Sequence, residues 1–193
     1  LGPQQHGHMA AVGYELYCKL LEEAVRSMKG EDIAVEIATV VDIKVDAYIE
    51  AEYIPMESQR IEIYKRIAAI EELQDKYDVE EELEDRFGVM PPPVRDLIDI
   101  AYIKAMGKKL KIVEITSKGN RVLLKFANKK AIDPRNLMII LNENQNKVGL
   151  EGREGLVLKI KLEEQSAAKA FLETKSFLEK IIGLHSNKSS DII

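Results

Sequence analysis

Lys111-Ile112-Val113-Glu114-Ile115-Thr116-Ser117-Lys118-Gly119-Asn120-Arg121-Val122-Leu123-Leu124-Lys125-Phe126 marks a change of pattern in the chain. Two runs rich in β-branched and aliphatic residues flank Lys118-Gly119-Asn120, a turn signal, so the stretch predicts a β-hairpin. Working outward toward the C-terminus, Asp133-Pro134 predicts a capped helix running to about Leu141, since Asp accepts from free amides and Pro suits a first turn. Residues 156–162, preceded by Gly152 and Gly155, predict another strand. Ala167, Phe171, Leu172, Leu178, Ile181 and Ile182 then follow the helical period.

Toward the N-terminus the same period predicts helices. Ile61, Tyr64 and Ile67/Ala68 define one over about 57–70. A second covers about 79–87 and stops at Gly88. A third starts at Pro91-Pro92-Pro93, with a stripe of Val94, Leu97, Ile98, Ala101, Ile103 and Ala105. Residues 41–49 alternate apolar and polar, which reads as a half-exposed strand or an extended linker, broken by Pro55. Val12, Leu16 and Leu20 place a further helix over 11–29. The order of elements is that of an α+β fold: an N-terminal helix and extended linker, then a helical subdomain packed with a small β-sheet and a C-terminal helix. The expected divisions are 1–30, a linker over 31–54, one domain over 55–185, and a frayed tail over 186–193.

A hydrophobic content of 46% is enough for a packed core, which excludes wholesale disorder. No apolar run approaches the roughly 18 residues that would span a bilayer, and the start has neither the basic nor the apolar region of a secretory signal. One cysteine, Cys18, rules out an internal disulfide and fits a reducing cytoplasm. The chain opens at Leu1 without Met, as expected of a segment of something longer.

The net charge of −5 argues against general nucleic-acid binding, but it averages two opposite stretches. Residues 71–88 hold nine acids and two bases; residues 104–130 hold nine bases and one acid. These are either two solvated faces or an acidic docking face and a basic patch. In the second case Lys118 and Arg121 lie near the hairpin turn, and Phe126 is placed to stack on a base, which would make 104–130 a nucleic-acid-binding module.

Catalytic constellations are missing from the sequence. It has no phosphate loop, no dinucleotide-binding glycine motif and no nucleophile elbow. Its histidines, His6, His8 and His185, make no metal site, and Cys18 beside Tyr17 and Lys19 reads as a small buried hydrophobe. No catalytic residue, metal or cofactor is expected.

The segment Glu82-Leu83-Glu84-Asp85-Arg86-Phe87-Gly88 is more informative. At about 100° per residue, Val79, Leu83 and Phe87 gather on one side, and Asp78, Glu82 and Asp85 fall within an arc of about 60° opposite. Such a helix buries an apolar stripe and presents an acidic one, suited to forked pairing with arginines.

Three blocks carry a family resemblance. The first is Leu1-Gly2-x-x-Gln5-x-Gly7-His8 with Val12-Gly13-Tyr14-Glu15-Leu16-Tyr17 and Leu20-Leu21-Glu22-Glu23-Ala24. The second is Asp46-Ala47-Tyr48-Ile49, Tyr53-Ile54-Pro55 and Arg60-Ile61-x-x-Tyr64-Lys65-Arg66-Ile67-Ala68. The third is Glu82-Leu83-x-Asp85-Arg86-Phe87-Gly88 with Pro91 and Pro93. In order and spacing these resemble the C-terminal region of the bacterial transcription-repair coupling factors, over roughly residues 1–110. The resemblance implies a parent that is an ATP-dependent translocase on double-stranded DNA, acting on stalled RNA polymerase and recruiting excision repair. It implies that Gly2, Gln5 and Gly7 are the remnant of a RecG-type translocation motif, with the ATPase motifs lying upstream. It further implies a regulatory domain that packs on the parent's UvrB-like module, covers the surface that recruits UvrA and restrains the motor. Glu82 and Asp85 then occupy acidic interface positions, Asp78 extends the same arc, Arg86 and Phe87 belong to the motif, and Phe87 is expected in the core. No membrane partner is implied.

Overall fold

The computed structural model describes residues 38–151, 155–163 and 166–186. The expected helix over 11–29, Gly2, Gln5, Gly7, Cys18 and most of the polar tail lie outside the described residues. Ten elements follow in chain order: β1 (Val40–Asp42), α1 (Glu57–Ala68), α2 (Leu73–Phe87), α3 (Pro92–Lys109), β2 (Ile112–Lys118), β3 (Arg121–Phe126), α4 (Pro134–Glu143), β4 (Val148–Glu151), β5 (Val157–Lys161) and α5 (Ala167–Ser186). The fold is α+β, as its pattern predicts. The described residues fall into two compact units, 46–102 and 38–45 with 103–186.

In the first unit, residues 46–56 lead into three helices. α1 buries Ile63 and Ile67 at helical spacing, and Arg60 closes its entry by donating from Nη1 to the carbonyls of Ile54 (2.7 Å) and Pro55 (2.9 Å). α2 begins six residues before its expected start. Glu72 accepts from the Asp75 amide, and Asp75 Oδ2 accepts from the Glu72 amide at 2.8 Å, a reciprocal cap that satisfies amides at the helix start. Gly88 ends it with φ of +80°, a conformation open to glycine, and returns its amide to the Glu84 carbonyl. Val94, Leu97 and Ile98 of α3 are fully buried, and Tyr102, which the expected stripe omits, is buried beside them in the chain.

In the second unit the sheet order is β1-β2-β3-β5-β4. β1 pairs in parallel with β2 and all other neighbours are antiparallel. The hairpin closes through Gly119 and Asn120, with Lys118 opposite Arg121. Gly119 has φ of +61°, and Asn120 remains on the negative side, the arrangement of a type II′ turn. Burial alternates along β3 and β5, whereas the register of β2 shifts between Ile112 and Glu114 and Thr116 is buried next to Ile115. Ile115, Val122, Leu124, Leu158 and Ile160 are buried on one face with Phe126. Asp133 accepts from the Arg135 amide at 2.8 Å and starts α4 where its motif predicts. β4, unmarked by any β-rich run, is a four-residue edge strand. The stretch 41–49 divides: its first two residues complete β1, and the remainder is irregular chain with Ile43 and Ile49 buried.

A close approach fixes the end of α3. Thr39 Oγ1 donates to the Ile112 carbonyl at 2.7 Å, and a Cβ added to Gly107 would lie 2.6 Å from Thr39 Cγ2 and 2.8 Å from Oγ1. Replacing a mid-helix glycine with alanine ordinarily stabilises by about 1 kcal/mol. At Gly107 the sign reverses: Gly107→Ala is expected to lose about 1–3 kcal/mol in chemical denaturation, the scale of overpacking. Combining it with Thr39→Ala should recover part of that loss in a double-mutant cycle.

Candidate functional site

The acidic helix α2 carries the expected site, and its buried face holds more than an apolar stripe. Val79 and Leu83 are buried as their spacing predicts, and Lys76, one turn earlier on the same side, is buried with them. Its ammonium donates to Glu80 Oε1 at 2.6 Å and lies 3.4 Å from Asp99 Oδ1 of α3. The ammonium also sits 5.5 Å from the Tyr77 ring centroid. Burial works against the charge, but the hydrogen bond to Glu80 and the charges of Asp99 and Glu80 outweigh it and hold Lys76 above the usual lysine range. The i, i+4 spacing of Lys76 and Glu80 was visible in the sequence; nothing local signalled that the lysine faces inward.

The three arc carboxylates do not share one environment. Asp78 and Asp85 are exposed, and Asp78 Oδ1 accepts from Gln74 Nε2 at 2.8 Å. Glu82, expected on the open arc, is instead largely covered, its side chain 18% exposed. Arg66 of α1 pairs with Glu82 Oε2, and Arg86 Nη1 lies 2.5 Å from Oε1. Arg86 also comes within 4.0 Å of Glu62 and lies over the Phe87 ring at 4.9 Å. Phe87, expected in the core, is half-buried: its ring meets Tyr53 edge-on, with centroids 5.9 Å apart. The Tyr53 hydroxyl is shared between the carbonyls of Leu83 (3.2 Å) and Gly88 (3.1 Å), which ties the end of α2 to the chain ahead of α1. Asp78, Glu81, Glu82, Asp85 and Arg86 together line an open surface depression.

Lys118 and Arg121 are exposed at the hairpin turn, as expected. Phe126 is not available to a base. It is 3% exposed and belongs to the buried face of the sheet, because the alternation of β3 puts it on the side of Val122 and Leu124. Among the described residues no cluster of His, Cys, Asp and Glu is arranged to hold a metal, and no helix is long and apolar enough to cross a membrane.

Residues 43–137 match the family model described as the TRCF domain. The transcription-repair-coupling factor of Bacillus subtilis (strain 168) is 33% identical over 178 residues, covering 90% of this chain and 15% of that protein. The Escherichia coli (strain K12) protein of the same name is 32% identical over 158 residues, 79% of this chain and 14% of that protein. The chain thus spans about one seventh of the length of these curated relatives. A solved structure described as the crystal structure of the C-terminal domain of transcription-repair coupling factor has a TM-score of 0.69 at 24% identity, covering 78% of this chain and 96% of that one. At that identity the likeness is one of fold.

Two substitutions test the charge arrangement. Lys76→Met leaves Glu80 and Asp99 without their shared cation and is expected to lower stability by about 3 kcal/mol in urea denaturation, the cost of breaking a buried pair. Asp96 behaves in the opposite sense. Burial, then the charges of Asp99 and Asp46, push its carboxyl above the usual range. A carboxyl raised in the folded state favours folding only when protonated, so its ionisation costs stability at neutral pH. Asp96→Asn should therefore raise stability at pH 7, by on the order of 0.5 kcal/mol for a solvent-screened contact, read in chemical denaturation. That gain should shrink as pH falls through the raised pKa and vanish below the ordinary aspartate value.

Proposed function

The chain belongs to the transcription-repair coupling factor family, with residues 43–137 matching its TRCF domain, and we propose that residues 55–185 form a regulatory domain without catalytic activity of its own. In this reading it docks on the UvrB-like module of the same longer protein. Docked, it masks the surface that recruits UvrA and restrains an ATP-driven motor that moves on double-stranded DNA and acts on stalled RNA polymerase. Undocked, it releases both.

The observation that carries the reading is the face of α2. Asp78, Glu81 and Asp85 are exposed around a covered Glu82, on a helix whose other side is buried. Arginines of a partner would meet open carboxylates on one helix face, and forked Arg–carboxylate pairs set orientation more than affinity. A reversible latch needs such a contact, because a large apolar interface would not reopen. Glu82 has a double task here. It is the residue that Arg66 and Arg86 converge on, so an arriving arginine must share it with them or displace one.

Calorimetric titration of the chain with the family's separately produced UvrB-like module tests the proposal. Binding is expected, and it should weaken with salt. Reversing both Asp78→Arg and Asp85→Arg should weaken it at least tenfold, about 1.4 kcal/mol. These positions are cleaner than Glu82, whose reversal would also break the contact between α1 and α2. Equal binding by the doubly reversed chain would sink the acidic-face mechanism.

A further inference from the structure

The sheet of the second unit has a second face, and its charges are arranged in rows. The register places Lys118 of β2 beside Arg121 of β3, and Arg121 beside Lys161 of β5. All three are exposed. One step along, Thr116, Leu123 and Lys159 form the next row; a further step brings Glu114, Lys125 and Val157. The acids of this face are matched locally: Lys125 lies 3.9 Å from Glu114, and Lys159 lies 3.7 Å from Glu151 of β4. Asp42 of β1 is opposite Thr116. The outer row alone is three neighbouring cations, and no ion pair joins any of them to a carboxylate among the described residues.

That row is a cost to the fold. Like charges directly opposite each other on neighbouring strands are destabilising. Nothing in the packing requires cations there, since the residues on the reverse face make the core. An arrangement that weakens the sheet and does no structural service is explained by an anion outside it. With strands about 4.8 Å apart, the three side chains extend across roughly 10 Å of sheet. They present point charges in a line, beside a type II′ turn that adds no further acid. This face carries no aromatic ring on the paired strands: Phe126 is on the buried side, and the apolar residues here are Val40, Leu123 and Val157, with Thr116 buried among them. Unpaired bases would find no stacking partner.

We propose that Lys118, Arg121 and Lys161 form a sequence-independent contact for the phosphate backbone of duplex nucleic acid, separate from the acidic face of α2. The contact needs no base reading, because phosphate contacts position a protein on a duplex without carrying sequence information. It is weak by construction, three phosphates at most, and strongly dependent on salt.

Fluorescence anisotropy of a labelled duplex of arbitrary sequence, titrated with the chain between about 50 and 200 mM salt, tests this. Binding is expected with a log–log slope near −2.7, about −0.9 for each of three phosphates. Arg121→Gln or Lys161→Gln alone should reduce the slope by about 0.9, and the triple variant Lys118→Gln/Arg121→Gln/Lys161→Gln should abolish binding. Lys129→Gln/Lys130→Gln, in the same basic stretch but outside the row, should bind as the original does. Thermal melts of the row variants should show an unchanged or higher midpoint, since the repulsion is removed. Absence of binding at the lowest salt overturns the proposal, as does a triple variant that binds normally. Tighter binding of the single strand would overturn the duplex assignment. Displacement of the duplex by poly-glutamate at equal charge would reassign the row to an acidic protein and overturn the nucleic-acid reading.

Discussion

The acidic helix keeps its place because one of its own residues is a cation turned inward. Lys76 sits beneath α2 with Glu80 on its own helix and Asp99 on α3. The surroundings are otherwise negative: Asp99 and Asp46 lie near enough to Asp96 for their charges to act on its carboxyl. Without that ammonium, a helix with a large excess of acids would be packed against further acids. Breaking such a pair is costly even though forming it adds little relative to an apolar replacement. At the other side, Arg66 and Arg86 treat Glu82 in the same way. The negative charge of α2 is thus sorted. Glu82, which touches α1, is neutralised, and the open carboxylates Asp78, Glu81, Glu84 and Asp85 face solvent.

Much of this arrangement was legible in the sequence, for identifiable reasons. The hairpin was readable because Gly119 stands where a two-residue turn needs a positive φ and because the runs on both sides of it are rich in β-branched and aliphatic residues. α4 was readable because Asp133 and Pro134 encode its start within two residues. The start of α2 was not, since a Glu72–Asp75 cap resembles any acidic stretch until the chain is folded around it. β4 escaped for a related reason. Its residues Val148, Gly149, Leu150 and Glu151 include a glycine, and an edge strand draws its stability from its neighbour β5 more than from its own propensity.

The site followed the same division. Helical spacing correctly put Asp78, Glu82 and Asp85 on one side, since angle depends only on residue number. It could not reveal that Glu82 is covered, because Arg66 lies sixteen positions away on another helix. Phe126 failed in the opposite direction. An aromatic in a basic stretch looks available to a base, but strand alternation had already committed it to the core alongside Leu124. Charge was legible in amount and illegible in pairing.

β1 comes before the first unit in the chain, and its partner β2 comes after it. Val40 pairs with Glu114, so the sheet is completed only across the whole helical unit. During synthesis this edge must wait. The remaining four strands lie within residues 112–161 and can assemble from local encounters, whereas β1 joins by the least local strand pairing among the described residues. Such contacts form late and slowly, because the closure entropy of the intervening chain is met before any pairing rewards it. A helical unit that is already compact brings Val40 and Glu114 closer than a random coil of the same length would. The order of assembly is therefore written into the connectivity: the inserted helices act as the spacer that makes the last strand's return feasible.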